Sequence, residues 1–204
     1  MYDMTTTQDL RTQIAEPNLT RILLADTRLA PLWTVLRIWL GWQWLHAGWG
    51  KITNPAGVWV GEKAGVAIEG FLKGALGKTA GEHPDVSGWY ASFIQNVALP
   101  NAELLSYMVA FGEVLIGVAL ILGIFTGIAA FFGGLMNANF LFAGTLSTNP
   151  IMLIAAFAVV LGWRVAGQYG LDRVVLPYLG VPGAPGTLFR HDARLPQTPI
   201  PPAA

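Results

Sequence analysis

Four polar residues lie within apolar segments and have side chains suited to chemistry: Arg37, His46, Glu113 and Arg164. An Arg, Lys or Asp near the centre of a helix in hydrocarbon costs about 2.5–3.5 kcal/mol, so each such residue needs a partner or a function. A buried carboxylate and an imidazole are groups that relay protons. We therefore predict that Glu113 and His46 are catalytic and carry protons.

The depth of each charged residue along its helix predicts an inner polar layer. At about 1.5 Å of rise per residue, Arg37 and Arg164 each lie roughly 6–9 Å in from the same end of the bundle, and Glu113 lies near the middle. The reach of an arginine side chain favours a pair between Glu113 and either arginine. The alternative is that both arginines extend to the membrane interface.

A second polar layer is predicted nearer the other face, from Gln43 and His46 on one helix and Asn137 and Asn139 on another. Amide side chains in spanning helices usually make hydrogen bonds between helices, which is the first interpretation for Gln43, Asn137 and Asn139. His46 is the only histidine in a predicted span, which excludes a bis-histidine haem within one chain. His–Met ligation, or a haem shared between chains, stays open.

The first apolar helix divides its residues into two stripes. One contains small residues that allow close helix approach, and it is expected to face the bundle: Arg37, Gly41, Trp44, Gly48 and Lys51. The opposite stripe is aromatic and is expected to face lipid, a second subunit, or a flat ligand such as a quinone: Trp39, Trp42, His46 and Trp49.

The composition indicates that these helices lie in lipid. Of 204 residues, 53% are hydrophobic and 12% are charged, against about 25% charged in soluble domains, and the mean hydropathy is +0.50. Twelve basic residues balance twelve acidic ones, so nothing points to a nucleic-acid partner. The absence of Cys excludes disulfides, Fe–S ligation, c-type haem and a thiol nucleophile within the chain. No metal-binding or nucleotide-binding motif is found, so a redox role would need a bound cofactor, a diffusible carrier or another subunit.

Hydropathy predicts an all-α membrane protein with four transmembrane helices at about 31–52, 102–122, 126–143 and 150–167. The insert at 53–100 is predicted to hold short helices at 64–76 and 86–98, the alternative being an irregular loop. Residues 1–30 form a polar lead without a signal-peptide pattern, and 177–204 form a Pro/Gly-rich tail, extended or disordered. Six flanking arginines against three lysines predict a multi-pass plasma-membrane protein with both termini cytoplasmic and the insert extracytoplasmic.

Four motifs follow one another along these segments: RIWLG at 37–41 with HAGWGK at 46–51, then GEVLIG at 112–117, LILGIFT at 120–126 and GQYGLD at 167–172. Together they resemble the DoxX/DoxD family of small four-helix bacterial membrane proteins. The long insert and the NANF stretch at 137–140 are closer to the DoxD-like branch. The positions of Arg37, Lys51, Glu113 and Asp172 match the family's pattern.

The resemblance implies a subunit of a thiosulfate:quinone oxidoreductase, which oxidises thiosulfate to tetrathionate and passes electrons to quinone. On this basis the chain is expected to be a redox subunit that uses quinone as its diffusible carrier and works with other membrane subunits or as a homo-oligomer. The residues expected to contact substrate or quinone are Arg37, Trp39, Trp42, Lys51 and Arg164. The alternatives are a non-catalytic accessory subunit of a larger membrane complex and a small-solute carrier.

Overall fold

The computed structural model describes residues 17–181, and within that range the chain contains helices and no strands. The helices are α1 (Asn18–Ala25), α2 (Ala30–Ile52), α3 (Val66–Leu76), α4 (Gly88–Phe93), α5 (Ala102–Leu122), α6 (Thr126–Phe142), α7 (Asn149–Leu161), α8 (Trp163–Ala166) and α9 (Asp172–Tyr178). A π-helical turn, Ile94–Ala98, and a 3-10 turn, Leu99–Asn101, join α4 to α5 in one helical run.

The long helices coincide with the apolar segments predicted from sequence, except in the last one. The predicted helix at 150–167 stops at Leu161, and α8 begins two residues later. Gly162 sits at the break, where the ring of Trp33 leaves no room for a larger residue. A Cβ at Gly162 would lie 2.8 Å from that ring. A single helix at 150–167 was therefore a wrong prediction, since the packing of Trp33 was not visible in the sequence.

The polar lead contains a helix that hydropathy did not predict. In α1, Leu19, Ile22 and Leu23 are exposed, and the indole N–H of Trp33 on α2 donates to the carbonyl of Leu23 at 2.9 Å. Asp26 follows α1, and hydrogen bonds from Arg28 lower the pKa of Asp26 to about 2. The lead before residue 17 and the tail after residue 181 lie outside the described residues, so the predicted extended tail is largely not covered.

Glycines set how closely α2 and α5 pack. A Cβ at Gly41 would lie 2.9 Å from the carbonyl oxygen of Gly117, and one at Gly48 would lie 2.7 Å from the backbone nitrogen of Val114. A Cβ at Gly117 would collide with the backbone of Leu45. The predicted inward-facing glycine stripe of α2 is confirmed, because side chains larger than hydrogen would push the two helices apart.

Two apolar cores hold the fold. The larger core lies between α2, α5, α6 and α7 and includes Leu40, Trp44, Leu120 and Val159. A second core joins the insert to the ends of α5 and α6, with Leu72, Val86, Tyr90 and Ile94 among its buried residues. The insert therefore forms short helices, as predicted, and is not an irregular loop; its packing on the bundle was not predicted.

The outer surface is strongly apolar. By length and composition one helical run of the described chain qualifies to cross a membrane, Gly88–Leu122, with 35 residues and a mean hydropathy of 2.2. The helices α6 and α7 are apolar but shorter. Large exposed side chains cover the outside, among them Leu115, Ile154 and Phe157. Extended exposed apolar surface is typical of faces that contact lipid or another protein.

Candidate functional site

The centre of the site is an ion pair between α2 and α5. The ammonium nitrogen of Lys51 lies 2.5 Å from Oε2 of Glu113, and the side chains are 18% and 2% exposed. Lys51 also lies over the ring of Trp59, 5.0 Å from its centroid. Gly48 lies next to Glu113 and allows the helix contact that brings Lys51 within reach.

The predicted pairing of Glu113 with Arg37 or Arg164 is wrong. The antiparallel packing of α2 and α5 places Lys51 beside Glu113 and places Arg37 beside Leu120. Glu113 and Leu120 are seven residues apart, which corresponds to about 10 Å along a helix. Depths counted from helix ends did not give this register, because the glycine contacts fix it.

Arg37 occupies a separate buried cluster at the other end of the bundle. Its Nη1 donates to the carbonyl of Leu120 and, at 3.2 Å, to that of Ile121. Arg37 is buried, so the alternative of an arginine extending to the interface is wrong for this residue. Arg164 is exposed, which agrees with that alternative, and its guanidinium lies 5.4 Å from the ring centroid of Trp163.

Asp172 completes this cluster by capping the start of α6. Its carboxylate accepts hydrogen bonds from the backbone N–H groups of Phe125 at 2.6 Å and Thr126 at 2.9 Å. Phe125 has a φ of 48° in the left-handed region, a conformation that such bonds stabilise. The family-pattern positions Arg37 and Asp172 thus hold the turn between α5 and α6, away from the Lys51–Glu113 pair.

A cavity of about 440 Å³ opens beside the Lys51–Glu113 pair. Its walls come from α2, the insert, α5, α6, the segment 145–149 and α7, and seven of the sixteen lining residues are apolar or aromatic. The lining residues are Gln43, Trp44, His46, Ala47, Lys51, Trp59, Ile68, Phe71, Glu113, Asn137, Phe140, Thr145, Ser147, Thr148, Asn149 and Met152. Because Lys51 is paired with Glu113 and is the one Lys or Arg in this lining set, the cavity carries no net charge when His46 is neutral.

Asn137 lines this cavity with an unsatisfied amide. The residue is 0% exposed, and neither its Oδ1 nor its Nδ2 has a hydrogen-bond partner among the described residues. The indole nitrogen of Trp44 is also buried without a partner there. Buried polar groups are nearly always paired, so this amide on the cavity wall is available to a hydrogen-bonding group that enters the cavity.

The prediction that Asn137 bonds to a neighbouring helix is wrong, whereas Asn139 does make such a contact. Oδ1 of Asn139 accepts from the hydroxyl of Tyr90 in the insert at 3.1 Å, and Nδ2 donates to Leu135 of its own helix at 2.8 Å. The difference arises because α6 turns the two side chains to different faces: Asn137 towards the cavity and Asn139 towards the insert.

The cavity brings together five of the predicted site residues: Gln43, His46, Lys51, Glu113 and Asn137. His46 is exposed and stacks on Trp42, with ring centroids 6.1 Å apart. The others lie elsewhere. Trp39 and Trp42 are exposed on the outer face of α2, and Arg37, Asn139 and Arg164 have the contacts given above.

Sequence reasoning missed the aromatic walls and the polar rim of the cavity. Trp59 and Phe71 belong to the insert, whose place over the bundle was not predicted. The segment GTLSTNP at 144–150 was interpreted as a break between helices, although its cluster of hydroxyl and amide groups was a signal for a polar rim. Ser147 has a φ of 42°, a strained conformation of the kind found in segments that contact ligands.

Within the part of the chain that the structure describes, no group of three or more His, Asp or Glu side chains is arranged to hold a metal ion. The cavity therefore offers hydrogen-bonding, aromatic and ionic groups to a ligand.

The profile of the DoxX family matches residues 32–146, more than half of the chain. The chain belongs to the DoxX family. This is a membrane-protein family, and the exposed apolar faces of the helices agree with a lipid environment. The match covers α2, the insert, α5 and α6, and hence Lys51, Glu113 and Asn137. No curated protein and no solved structure matched the chain.

Proposed function

We propose that this DoxX protein is the quinone-binding subunit of a redox assembly in the bacterial plasma membrane. The observation that carries the proposal is the unpaired Asn137 amide in the cavity that also contains the Lys51–Glu113 pair. A quinone head group is flat and uncharged and presents polar atoms at its edge. These properties match aromatic walls, a neutral cavity and a buried amide.

The cavity is of suitable size for such a head group. Ligand pockets commonly measure about 300–1,000 Å³, and this cavity measures about 440 Å³. Trp44, Trp59, Phe71 and Phe140 supply aromatic surface against which a ring can pack. The outward-facing Trp39 and Trp42 do not line the cavity, so we reassign quinone contact from them to the inner aromatic side chains.

Reduction of a quinone to a quinol consumes two electrons and two protons. Glu113 is the carboxylate beside the cavity, and we assign it the role of proton donor to the ring oxygen. His46 lines the same cavity and is exposed, so it is suited to pass protons inward from the surface. Lys51 holds the Glu113 carboxylate in place and balances its charge when Glu113 has released its proton.

The electrons come from a partner. The chain has no Cys, and the resemblance to the DoxD-like branch points to a small sulfur compound such as thiosulfate as the donor. Two thiosulfate ions each lose one electron and join through a new S–S bond to form tetrathionate. Lys51 is already paired with Glu113, so the described residues that line the cavity include no free lysine or arginine for a dianion. We therefore assign thiosulfate oxidation to another subunit.

We further propose the topology predicted from the flanking charges. Four helices span the membrane, α2, α5, α6 and α7 with α8, and both termini are cytoplasmic. In this orientation the insert and the cavity lie towards the extracytoplasmic side, and the Arg37–Asp172 cluster lies towards the cytoplasm.

Quinone binding to protein reconstituted in lipid vesicles tests the proposal. A short-chain benzoquinone should quench tryptophan fluorescence saturably, because Trp44 and Trp59 line the cavity. Glu113→Gln should retain binding and lose proton-coupled reduction when a chemical reductant supplies electrons. Glu103→Gln, an exposed carboxylate on the same helix, is the matched control and should behave as wild type. Quenching without saturation in the wild-type protein would refute the quinone site.

A non-catalytic accessory role is the second candidate, favoured by the outer aromatic face of α2. Trp39, Trp42 and Trp49 are exposed along one side of this helix, where a partner's helix could pack. Isolation in mild detergent should then recover partner subunits in fixed stoichiometry. Replacing Trp42 and Trp49 with Leu should release them, and quinone should not bind saturably to the isolated chain.

A further inference from the structure

The side chain of Asn137 has the two kinds of group that the oxidised and reduced forms of a quinone require. Nδ2 is a hydrogen-bond donor and Oδ1 is an acceptor. Both are buried, and neither has a partner within residues 17–181. A quinone carbonyl can only accept a hydrogen bond, whereas a quinol hydroxyl can also donate one.

We propose that Asn137 keeps this site from favouring one redox state of the ligand, because its amide binds the oxidised and the reduced form with similar affinity. Nδ2 donates to the carbonyl oxygen of the oxidised ring, and Oδ1 accepts from the hydroxyl of the reduced ring. The inference rests on the proposed quinone site. It adds that Asn137 prevents the site from binding one redox form so tightly that this form is not released. A turnover site needs this balance, because tight binding of one form would slow its release.

Near Asn137, the described residues offer no other unpaired side-chain group that can both donate and accept a hydrogen bond. The neighbouring unpaired group, the indole nitrogen of Trp44, can only donate. It lies close to Gly133, where a Cβ would sit 3.0 Å from it. Gly133 is four residues before Asn137, so the two face the same side of α6 about one turn apart. Trp44 alone would favour the oxidised form, and the acceptor on Asn137 offsets that bias.

The Lys51–Glu113 pair does not duplicate this function. Glu113 is bound by Lys51 at 2.5 Å, and Lys51 also bonds to the carbonyl of Ala47 at 3.5 Å. Both groups therefore have partners within the protein, whereas the Asn137 amide has none among the residues that the structure describes. Among the described lining residues, Asn137 has both a buried donor and a buried acceptor without a partner. Its amide is therefore able to bond to the ligand oxygen in either protonation state.

The proposal is tested by measuring the dissociation constants of a short-chain benzoquinone and its quinol on the reconstituted full chain. In the wild-type protein the two constants should agree within about threefold. Asn137→Leu removes the donor and the acceptor together, and both forms should bind about tenfold more weakly. Asn139→Leu, two residues along the same helix and outside the cavity lining, is the matched control and should leave both constants unchanged.

A second variant separates the two atoms. Asn137→Asp keeps the shape and, above pH 8, offers acceptors without the amide donor, so the quinol should be favoured about tenfold over the quinone. For a two-electron couple this ratio corresponds to a rise of about 30 mV in the midpoint potential of the bound quinone. A merely structural role for Asn137 would not move this potential.

The outcomes distinguish the inference from the proposed function. If the wild-type protein binds neither form, the quinone site itself is refuted. If the wild-type protein binds both forms and Asn137→Leu binds them equally well, the site stands and the role of Asn137 is refuted. An unchanged midpoint potential in Asn137→Asp above pH 8 would also overturn the role, whereas the tenfold losses and the 30 mV rise would support it.

Discussion

Replacing Asn137 with Leu should stabilise the ligand-free protein. Asn137 is fully buried, and both of its polar side-chain atoms lack a partner within the described chain. A buried donor or acceptor left unsatisfied costs about 1–3 kcal/mol, and exchanging it for an apolar group of similar size removes that cost. The adjoining cavity gives the slightly different shape of Leu room to settle.

The expected size of the effect follows from these two groups. At the lower end of that range, an unpaired Oδ1 and an unpaired Nδ2 together cost about 2 kcal/mol. For a chain of this length, 1 kcal/mol shifts the melting temperature by about 2–4 °C, so we expect a rise of about 4–8 °C. A stabilising change on a cavity wall is typical of a position kept for binding, at a cost in stability.

Thermal unfolding in detergent micelles, followed by intrinsic tryptophan fluorescence, measures the shift. Asn139→Leu is the control, and it should lower the melting temperature because it removes one of the two acceptors of the Tyr90 hydroxyl, at 3.1 Å, and the amide donor to the Leu135 carbonyl. A higher melting temperature in Asn137→Leu together with a lower one in Asn139→Leu would support the reasoning. If the melting temperature of Asn137→Leu is at or below that of the wild type, the amide has hydrogen-bond partners in the ligand-free protein. This result would refute the reasoning.

Three further substitutions test the packing around the site. Glu113→Gln should lower stability by about 3 kcal/mol, because it leaves the Lys51 charge in a largely buried place, and adding Lys51→Met should restore most of it. Gly48→Ala should cost about 1–3 kcal/mol by forcing α2 from α5, while Gly50→Ala, with open space around it, should be neutral or slightly stabilising. Asp172→Ala should cost about 1–2 kcal/mol, because it removes the acceptor that caps α6.

Chemical or thermal unfolding checks each of these changes. A double variant at Lys51 and Glu113 that is no more stable than Glu113→Gln would show that the two charges are not coupled. Equal effects of alanine at Gly48 and Gly50 would contradict the close contact between α2 and α5. A wild-type melting temperature in Asp172→Ala would mean that the start of α6 does not depend on this carboxylate.

The positions of the helices could be predicted because hydropathy and helix-breaking residues are local properties of the chain. The segment at 102–122 coincides with α5, and 31–52 differs from α2 by one residue. The inward-facing stripe of α2 could also be predicted, since the spacing of Gly41 and Gly48 fixes the side of the helix on which they lie. The prediction from local spacing failed at Gly162, where the last long helix is broken. The ring of Trp33, 129 residues away in the sequence, packs against this glycine.

The sequence by itself determined which polar groups are available in the apolar bundle, including Glu113, His46 and Asn137. Because the chain has no Cys, it also determined that any redox chemistry must use a bound cofactor, a diffusible carrier or another subunit. Only the tertiary structure decided that Glu113 pairs with Lys51 and not with Arg37. A shift of two helical turns between α2 and α5 exchanges one partner for the other, and helix contacts through Gly41, Gly48 and Gly117 set that register. Since such contacts join residues that are distant in sequence, no periodicity within one helix contains them. The same long-range packing leaves the Asn137 amide without a hydrogen-bond partner among the described residues. It also places this amide beside a cavity in which a ligand would reach it.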